Sequence, residues 1–288
     1  MPAQELLITA LDQRYQKFLA ERKRCMIEFS EEAVHDLRIA ARRLLALIEL
    51  LRVIAPHPRL QKLKRAFKDQ LDSLDDLRDT QVMLAEISEM LETLLEFAPL
   101  QKFLLKREKR LLKAVESDVR ALKVSAITHR IENTRADLME SAASQDLIEP
   151  VLATVDDAWF MIAQRVRRVD PAQPATIHRV RIAFKKFRYL LEIIQPLLPD
   201  FPDANFKNMH DYQAAMGEIQ DVEVLLRTLA DFAVREKTFD PLPLLRFYEQ
   251  RHIELINTYI ENMNEFVSFW REAPDKPFAW EIIEEEKP

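Results

Sequence analysis

The apolar positions of this chain recur with the spacing of amphipathic helices along most of its 288 residues. Between Val34 and Leu51, aliphatic residues return every three or four positions, which is typical of a helix that buries one face. Ser30 is expected to cap this helix, and the prolines at 56 and 58 are expected to end it. The same reasoning predicts helices at about 3–28, 31–54, 59–96, 99–123, 146–168, 176–195, 203–235 and 242–271.

The composition strengthens the helical interpretation and removes several classes of function. Gly217 is the only glycine, and a sheet-rich fold of this length would need many glycines for its turns. Glycine-rich phosphate loops and dinucleotide-binding loops are excluded for the same reason. Cys25 is the only cysteine, so no internal disulfide is possible and a reducing, cytoplasmic location is expected. No targeting segment or membrane span is visible, so no membrane partner is predicted.

Two motifs occur twice in the same order. Residues 34–44 (VHDLRIAARRL) match residues 177–187 (IHRVRIAFKKF) at an offset of 143, and residues 73–82 (SLDDLRDTQV) match 215–224 (AMGEIQDVEV) at an offset of 142. The chain is therefore predicted to be all-α, with two four-helix bundles related by an internal pseudo-two-fold. The predicted boundaries are 1–124 for the first repeat, 125–145 for an irregular connection, 146–272 for the second repeat and 273–288 for an acidic, irregular tail.

The distribution of charge matters more than the total. The net charge is −6, which as a whole disfavours a polyanionic ligand, yet the two repeated helices are locally rich in bases. Positions i, i+3 and i+7 share a helix face, and an Arg or Lys stripe with this spacing repels itself unless an anion such as phosphate relieves it. The candidate binding residues are His35, Arg38, Arg42, Arg43, His178, Arg181, Lys185, Lys186 and Arg188. Secondary candidates are Arg52, Lys64, Arg65, Lys68, Arg107, Arg110, Lys207, Arg246 and Arg251.

Other interpretations of these residues stay open. Each stripe taken alone is compatible with a solvated basic surface. A metal site at His35 or His178 is disfavoured because their neighbours are cations, so no metal or other cofactor is predicted. Asp79 and Asp221 recur in both copies, and orienting a basic side chain or capping a kink is favoured over a catalytic role for them.

The His-x-x-Arg-x-x-x-basic-basic helix, present twice, resembles the CHAD family, an α-helical domain named for its conserved histidines. The resemblance covers about residues 5–271, and the segments 77–79 and 217–221 fit the family's second motif. It implies two four-helix bundles around a basic groove or pore, binding of inorganic polyphosphate, and association with polyphosphate granules. The first copy departs from the second in having Leu45 in place of Arg188 and Asp75 in place of Gly217.

The leading hypothesis is therefore a polyphosphate-binding module in the cytoplasm that is not an enzyme. The first alternative is a nucleic-acid-binding helical protein, which is disfavoured because no base-stacking aromatics are interleaved with the bases. The second is an enzyme or regulator of polyphosphate or nucleotide phosphate metabolism, which would need carboxylates converging on Mg²⁺. The sequence does not give the preferred polymer length, the oligomeric state, the cellular purpose of binding or any regulatory role of the acidic tail.

Overall fold

The computed structural model describes residues 2–91, 95–140, 147–198 and 200–285, and within these ranges it is built of helices and short connections. This confirms the all-helical fold class. The helices are α1 (Ala3–Glu28), α2 (Glu31–Ile54), α3 (Pro58–Met90), α4 (Ala98–Ala121), α5 (Val124–Glu140), α6 (Ile148–Val166), α7 (Ala175–Ile194), α8 (Ala204–Arg235), α9 (Leu242–Asn262) and α10 (Ala279–Glu285). Short 3-10 helices lie at Leu95–Phe97, Gln195–Leu197 and Met263–Phe269. No helix in the described ranges combines the length and the low charge needed to cross a bilayer.

The chain forms two compact units, Met1–Leu147 with α1 to α5 and Ile148–Pro288 with α6 to α10. In the first unit, α1, α2, α3 and α4 pack as successive neighbours, and α5 lies against α1 and α3. The core is aliphatic, with an edge-to-face aromatic pair, Phe18 and Phe67, whose ring centroids are 4.9 Å apart. The Ser30 hydroxyl accepts a hydrogen bond from the Ala33 amide at 3.1 Å, which confirms the predicted cap of α2.

Helix α5 corrects the expectation of an irregular connection at 125–145. Its apolar residues Ile127, Ile131 and Leu138 lie on one face and are buried, although polar residues dominate the segment. Tyr15 of α1 shares a hydrogen bond of 2.6 Å with Thr128, and Gln4 donates to the Leu138 carbonyl. The third predicted helix also ends earlier than expected, because α3 stops at Met90, and residues 92–94 lie outside the described residues.

In the second unit, α6, α7, α8 and α9 pack as successive neighbours. The last predicted helix was expected to reach residue 271, but α9 ends at Asn262 and continues as the 3-10 helix Met263–Phe269. The tail predicted to be irregular contains α10, whose Trp280 is buried. Trp280 packs on Phe201 and Trp270 at centroid distances of 5.1 and 6.2 Å, so aromatic burial orders this segment.

A buried carboxylate fixes the polypeptide after α9 to α6. Asp156 accepts hydrogen bonds from the Trp270 indole nitrogen at 2.7 Å and from Arg271 Nε and Nη2 at 3.0 and 2.7 Å. Both charged side chains are largely removed from solvent. A bidentate carboxylate–guanidinium pair of this kind holds two elements in a single geometry, so the C-terminal aromatic cluster has a defined position in the second unit.

Candidate functional site

In the first unit, the face of α2 that packs on α3 carries the predicted basic stripe. Arg38 is buried, with only 5% of its surface exposed. Its Nη2 lies 2.6 Å from Asp75 Oδ1, and its Nη1 donates to the Leu71 carbonyl at 3.4 Å. Burial and the nearby Arg42 lower the pKa of Arg38 from its ordinary value. Arg38 therefore lies beneath the surface, with its guanidinium held by α3.

The structure brings Arg38 and Arg42 together around one carboxylate. Arg42 Nη2 is 3.7 Å from the same Asp75 oxygen, and its side chain is 30% exposed. Asp79 is half-buried, and desolvation together with Asp75 raises the pKa of its carboxyl group. Arg107 of α4 approaches this group and lies 3.7 Å from Asp76. The repulsion expected within the α2 stripe is thus partly relieved by carboxylates of α3, which the pattern along α2 alone does not reveal.

His35 lies at the start of the same face and is half-buried. Burial lowers the pKa of its imidazole, and the guanidinium of Arg78 lowers this pKa further. Arg78 is itself held by an ion pair of 2.7 Å to Glu31 in the first turn of α2. The cluster thus consists of an imidazole close to arginine side chains that form ion pairs with the carboxylates of Asp75 and Glu31.

The second unit carries the equivalent face on α7, packed on α8. Arg181 lies against Gly217: a Cβ atom added to this glycine would be 3.6 Å from Arg181 Nη2 and 3.7 Å from Nε. These are ordinary van der Waals distances, so sterics do not require a glycine here. Gly217 occupies the position at which the first unit has Asp75, so the carboxylate that holds Arg38 has no counterpart at residue 217.

His178 occupies in this unit the position of His35. Burial makes the largest contribution to lowering its pKa, and the charge of Arg181 lowers this pKa further. A hydrogen bond with Gln220 raises it. Glu223 of α8 is close enough to influence both His178 and His252 of α9. His252 is half-buried and was missed by the sequence analysis, because it occurs once and only the packing of α9 on α8 brings it to this cluster.

The remaining primary candidates are Arg43, Lys186 and Arg188. Arg43 and Lys186, which immediately follow the stripe residues, are exposed. The Arg43 carbonyl accepts a hydrogen bond from Arg14 of α1 at 2.7 Å, which places it on the side of α2 facing α1. Arg188 has a side chain only 13% exposed, lies 3.5 Å from Glu192 and stacks over the Tyr189 ring at 5.5 Å.

The secondary candidates fall into three groups. Those in ion pairs are Lys64 with Glu49 (2.7 Å), Lys207 with Asp211 (2.6 Å) and Arg107 with Asp76 (3.7 Å). Those with exposed side chains are Arg65, Lys68, Arg110 and Arg246, and those that are half-buried are Arg52 and Arg251. Their roles in ligand binding stay predictions.

The groups assembled on α2 and α7 are hydrogen-bond donors and fixed positive charges, and the chemistry they offer is the binding of anions. Over the described part of the chain, no three His, Cys, Asp or Glu side chains are grouped so as to hold a metal ion.

The CHAD domain family model matches residues 9–230, which is most of the chain. The crystal structure of the CHAD domain from the plant Ricinus communis superposes with a TM-score of 0.67, at 19% identity, over 93% of this chain and 90% of that one. No curated protein matches the sequence. The match over residues 9–230 shows that the chain belongs to the CHAD domain family.

Proposed function

We propose that the chain is a binding module for inorganic polyphosphate and that it binds this polymer without catalysing a reaction on it. The binding surfaces are the basic faces of α2 in the first unit and α7 in the second. Arg42, Lys185 and the two histidines are the groups proposed to contact phosphate, while Arg38 supports the first face from beneath. Association with polyphosphate granules is part of the proposal, as the family resemblance implies.

The observation that carries this proposal is the clustering of basic side chains on one face of α2 and one face of α7. In each unit, burial lowers the pKa of a half-buried imidazole, and a neighbouring guanidinium lowers it further: that of Arg78 for His35 and that of Arg181 for His178. Clustered like charges cost free energy in the unliganded protein, and a polyanion removes that cost on binding. A linear phosphate polymer supplies closely spaced negative charge at every repeat.

Nucleic acid is the less favoured polyanion. Proteins that bind single strands stack bases on exposed aromatic rings beside the basic groove. Near the α7 face, the aromatic rings of Phe184, Phe187 and Tyr212 are buried in the core of the unit instead. The face therefore offers contacts to phosphate and not to bases, and DNA of equal charge is expected to compete poorly with polyphosphate.

Catalysis is the second alternative, and the presence of Asp75, Asp76 and Asp79 beside the first face makes it worth a direct test. The proposal predicts no release of orthophosphate when the protein is incubated with polyphosphate and Mg²⁺. Phosphate release that is lost on replacing Asp79 with Asn would contradict the proposal and support a hydrolase.

Neighbouring cations on the same two helices provide a matched experiment. In the double variant Arg42→Gln/Lys185→Gln, two cations on the faces toward α3 and α8 are removed. In the control variant Arg43→Gln/Lys186→Gln, the same charge is removed from exposed positions one residue further on. The slope of log affinity against log salt is expected to fall by about 1.4 in the first variant and by much less in the control. An equal fall of this slope in the two variants would show that polyphosphate binding does not depend on Arg42 and Lys185 in particular.

The duplicated organisation belongs to the same proposal. The two basic motifs fall on α2 and α7, each followed by a long helix, α3 or α8, that carries the second motif. The pseudo-two-fold relation of two four-helix bundles, and the basic groove or pore implied by the resemblance, stay predictions.

A further inference from the structure

Helix α4 of the first unit carries a row of lysines that neither basic motif includes. Lys102, Lys106, Lys109 and Lys113 are all exposed, and their spacing of four, three and four residues places them within about 60° of arc on one face. The row is about 16 Å long at the rise of an α-helix. Within the described ranges, none of the four forms an ion pair or a hydrogen bond. We call these four residues the lysine row.

Packing within the fold does not explain the lysine row. The helix that follows the long helix of the second unit is α9, and the exposed positions along α9 include Glu249, Glu254 and Glu261. Two helices with the same place in the chain order thus differ, since the exposed positions of α9 hold three glutamates and one base, Arg246. Lysines repeated at i, i+3 and i+4 repel one another, so the row is a feature of α4 that folding does not explain.

We infer that the lysine row is a second contact surface for the linear polyanion, separate from the basic faces of α2 and α7. This inference rests on the proposed function. Arg107, about 100° around the helix from the row, approaches Asp79 in the α2 cluster, and the exposed Arg110 lies between Arg107 and the row on the helix surface. Basic side chains therefore continue across α4 from the α2 cluster to the lysine row.

The chemistry of the row favours a flexible chain of charges over a membrane. Helices that lie on a bilayer insert an apolar face beside their lysines. The apolar residues Leu100, Leu104, Val115 and Val119 of α4 are instead buried inside the first unit, and the one exposed leucine of this helix, Leu105, does not make an insertion face by itself. Lysine is a compact charge on a flexible stem. Such side chains suit a polymer that can slide along the helix better than they suit a rigid ligand that needs two fixed hydrogen bonds.

The test compares three variants of the full chain. The row variant replaces the lysines at 102, 106, 109 and 113 with Gln, and the site variant is Arg42→Gln/Lys185→Gln. The control replaces four exposed bases elsewhere with Gln, namely Lys123, Arg167, Lys237 and Lys276, and matches the charge change of the row variant. Circular dichroism checks that helicity is unchanged. Binding of long-chain polyphosphate and of phosphatidylserine vesicles is then measured from low to physiological salt.

The inference predicts that the row variant loses about 2.8 from the salt slope for polyphosphate, at about 0.7 for each contact, while the control loses little. If the row variant and the control behave alike while the site variant loses binding, the row is not a contact surface and the proposed function stands. Loss in the row variant with none in the site variant would support the row and overturn the α2 and α7 faces. No polyphosphate binding by the unmodified protein, or an effect of the row on vesicles alone, would overturn the inference.

Discussion

Replacement of Asp75 with Asn should separate stability from ligand affinity, because this carboxylate stabilises the unliganded protein and opposes an anionic ligand. Its Oδ1 lies 2.6 Å from Arg38 Nη2 and 3.7 Å from Arg42 Nη2. The Asp75 side chain is 51% exposed, whereas that of Arg38 is 6% exposed. The variant leaves Arg38 with a weakened partner in a buried position and removes one negative charge beside the proposed phosphate site.

The two effects have opposite signs. Weakening the partner of a buried charged group costs about 1–3 kcal/mol of unfolding free energy, and the solvent access of Asp75 places the expected loss at about 1–2 kcal/mol. A phosphate about 6 Å from Asp75 is repelled by about 0.7 kcal/mol in water and by about 2.8 kcal/mol at an effective dielectric constant of about 20. A half-exposed carboxylate lies nearer the first value, so polyphosphate is expected to bind about three- to tenfold more tightly.

The assay pairs chemical denaturation with a polyphosphate titration at fixed salt. Asp72→Asn, one helical turn away at an exposed position on α3, removes the same charge and serves as the control. Asp75→Asn should lose stability and gain affinity relative to this control. A variant that loses both would show that Asp75 only maintains the fold, and the assignment of the α2 face to phosphate would fail.

Gly217→Asp is the reciprocal change in the second unit. A Cβ atom at this position meets Arg181 at 3.6–3.7 Å, which is ordinary van der Waals contact, so a side chain introduced here starts beside the guanidinium. Replacing the glycine inside α8 with Asp gains only about 0.3 kcal/mol of helix propensity, because Asp is itself among the less favourable helix residues. Affinity for polyphosphate should fall about three- to tenfold, with no loss of helix propensity. Unchanged affinity would argue that the α7 face does not bind the polymer.

Three further predictions concern other parts of the chain. Asp156→Ala leaves Arg271 buried without its carboxylate and should lower the unfolding free energy by about 3–5 kcal/mol in a denaturant titration. Burial lowers the pKa of His35 and His178 below 6.5, so the unfolding free energy should rise with pH up to about 6.5. A bound polyanion raises both pKa values, so polyphosphate should bind more tightly as the pH falls toward 6. Replacing both histidines with Ala should flatten the pH profiles of stability and of binding. Burial raises the pKa of Cys25 to about 11, so its alkylation at pH 8 should be slow until the protein unfolds.

Regular helices with clear end signals could be predicted from the sequence. The observed bounds of α1 and α2 agree with the predicted 3–28 and 31–54, because Ser30 and the prolines at 56 and 58 mark the helix ends locally. Helices α5 and α10 were missed, since each is ordered by contacts that are distant in sequence. Tyr15 with Thr128, and Trp280 with Phe201, are pairs that no periodicity within one segment reveals.

The two basic clusters could be located from the repeat, but their charge balance could not. The spacing of His35, Arg38 and Arg42 correctly places them on one face, whereas the burial of Arg38 depends on how closely α3 packs. Asp75 and Gly217 occupy equivalent positions in the two copies of the second motif. Only the structure shows that the first holds a guanidinium and the second leaves room beside one.

The central claim is that the protein binds polyphosphate through fixed positive charges, and a titration of the purified, unmodified chain tests it most directly. Long-chain polyphosphate is added at several salt concentrations, with DNA of equal charge and Mg²⁺-ATP as competitors. The account predicts tight binding that weakens linearly in log affinity against log salt and that neither competitor displaces. Absence of binding at physiological salt, or displacement by DNA at equal charge, would contradict it.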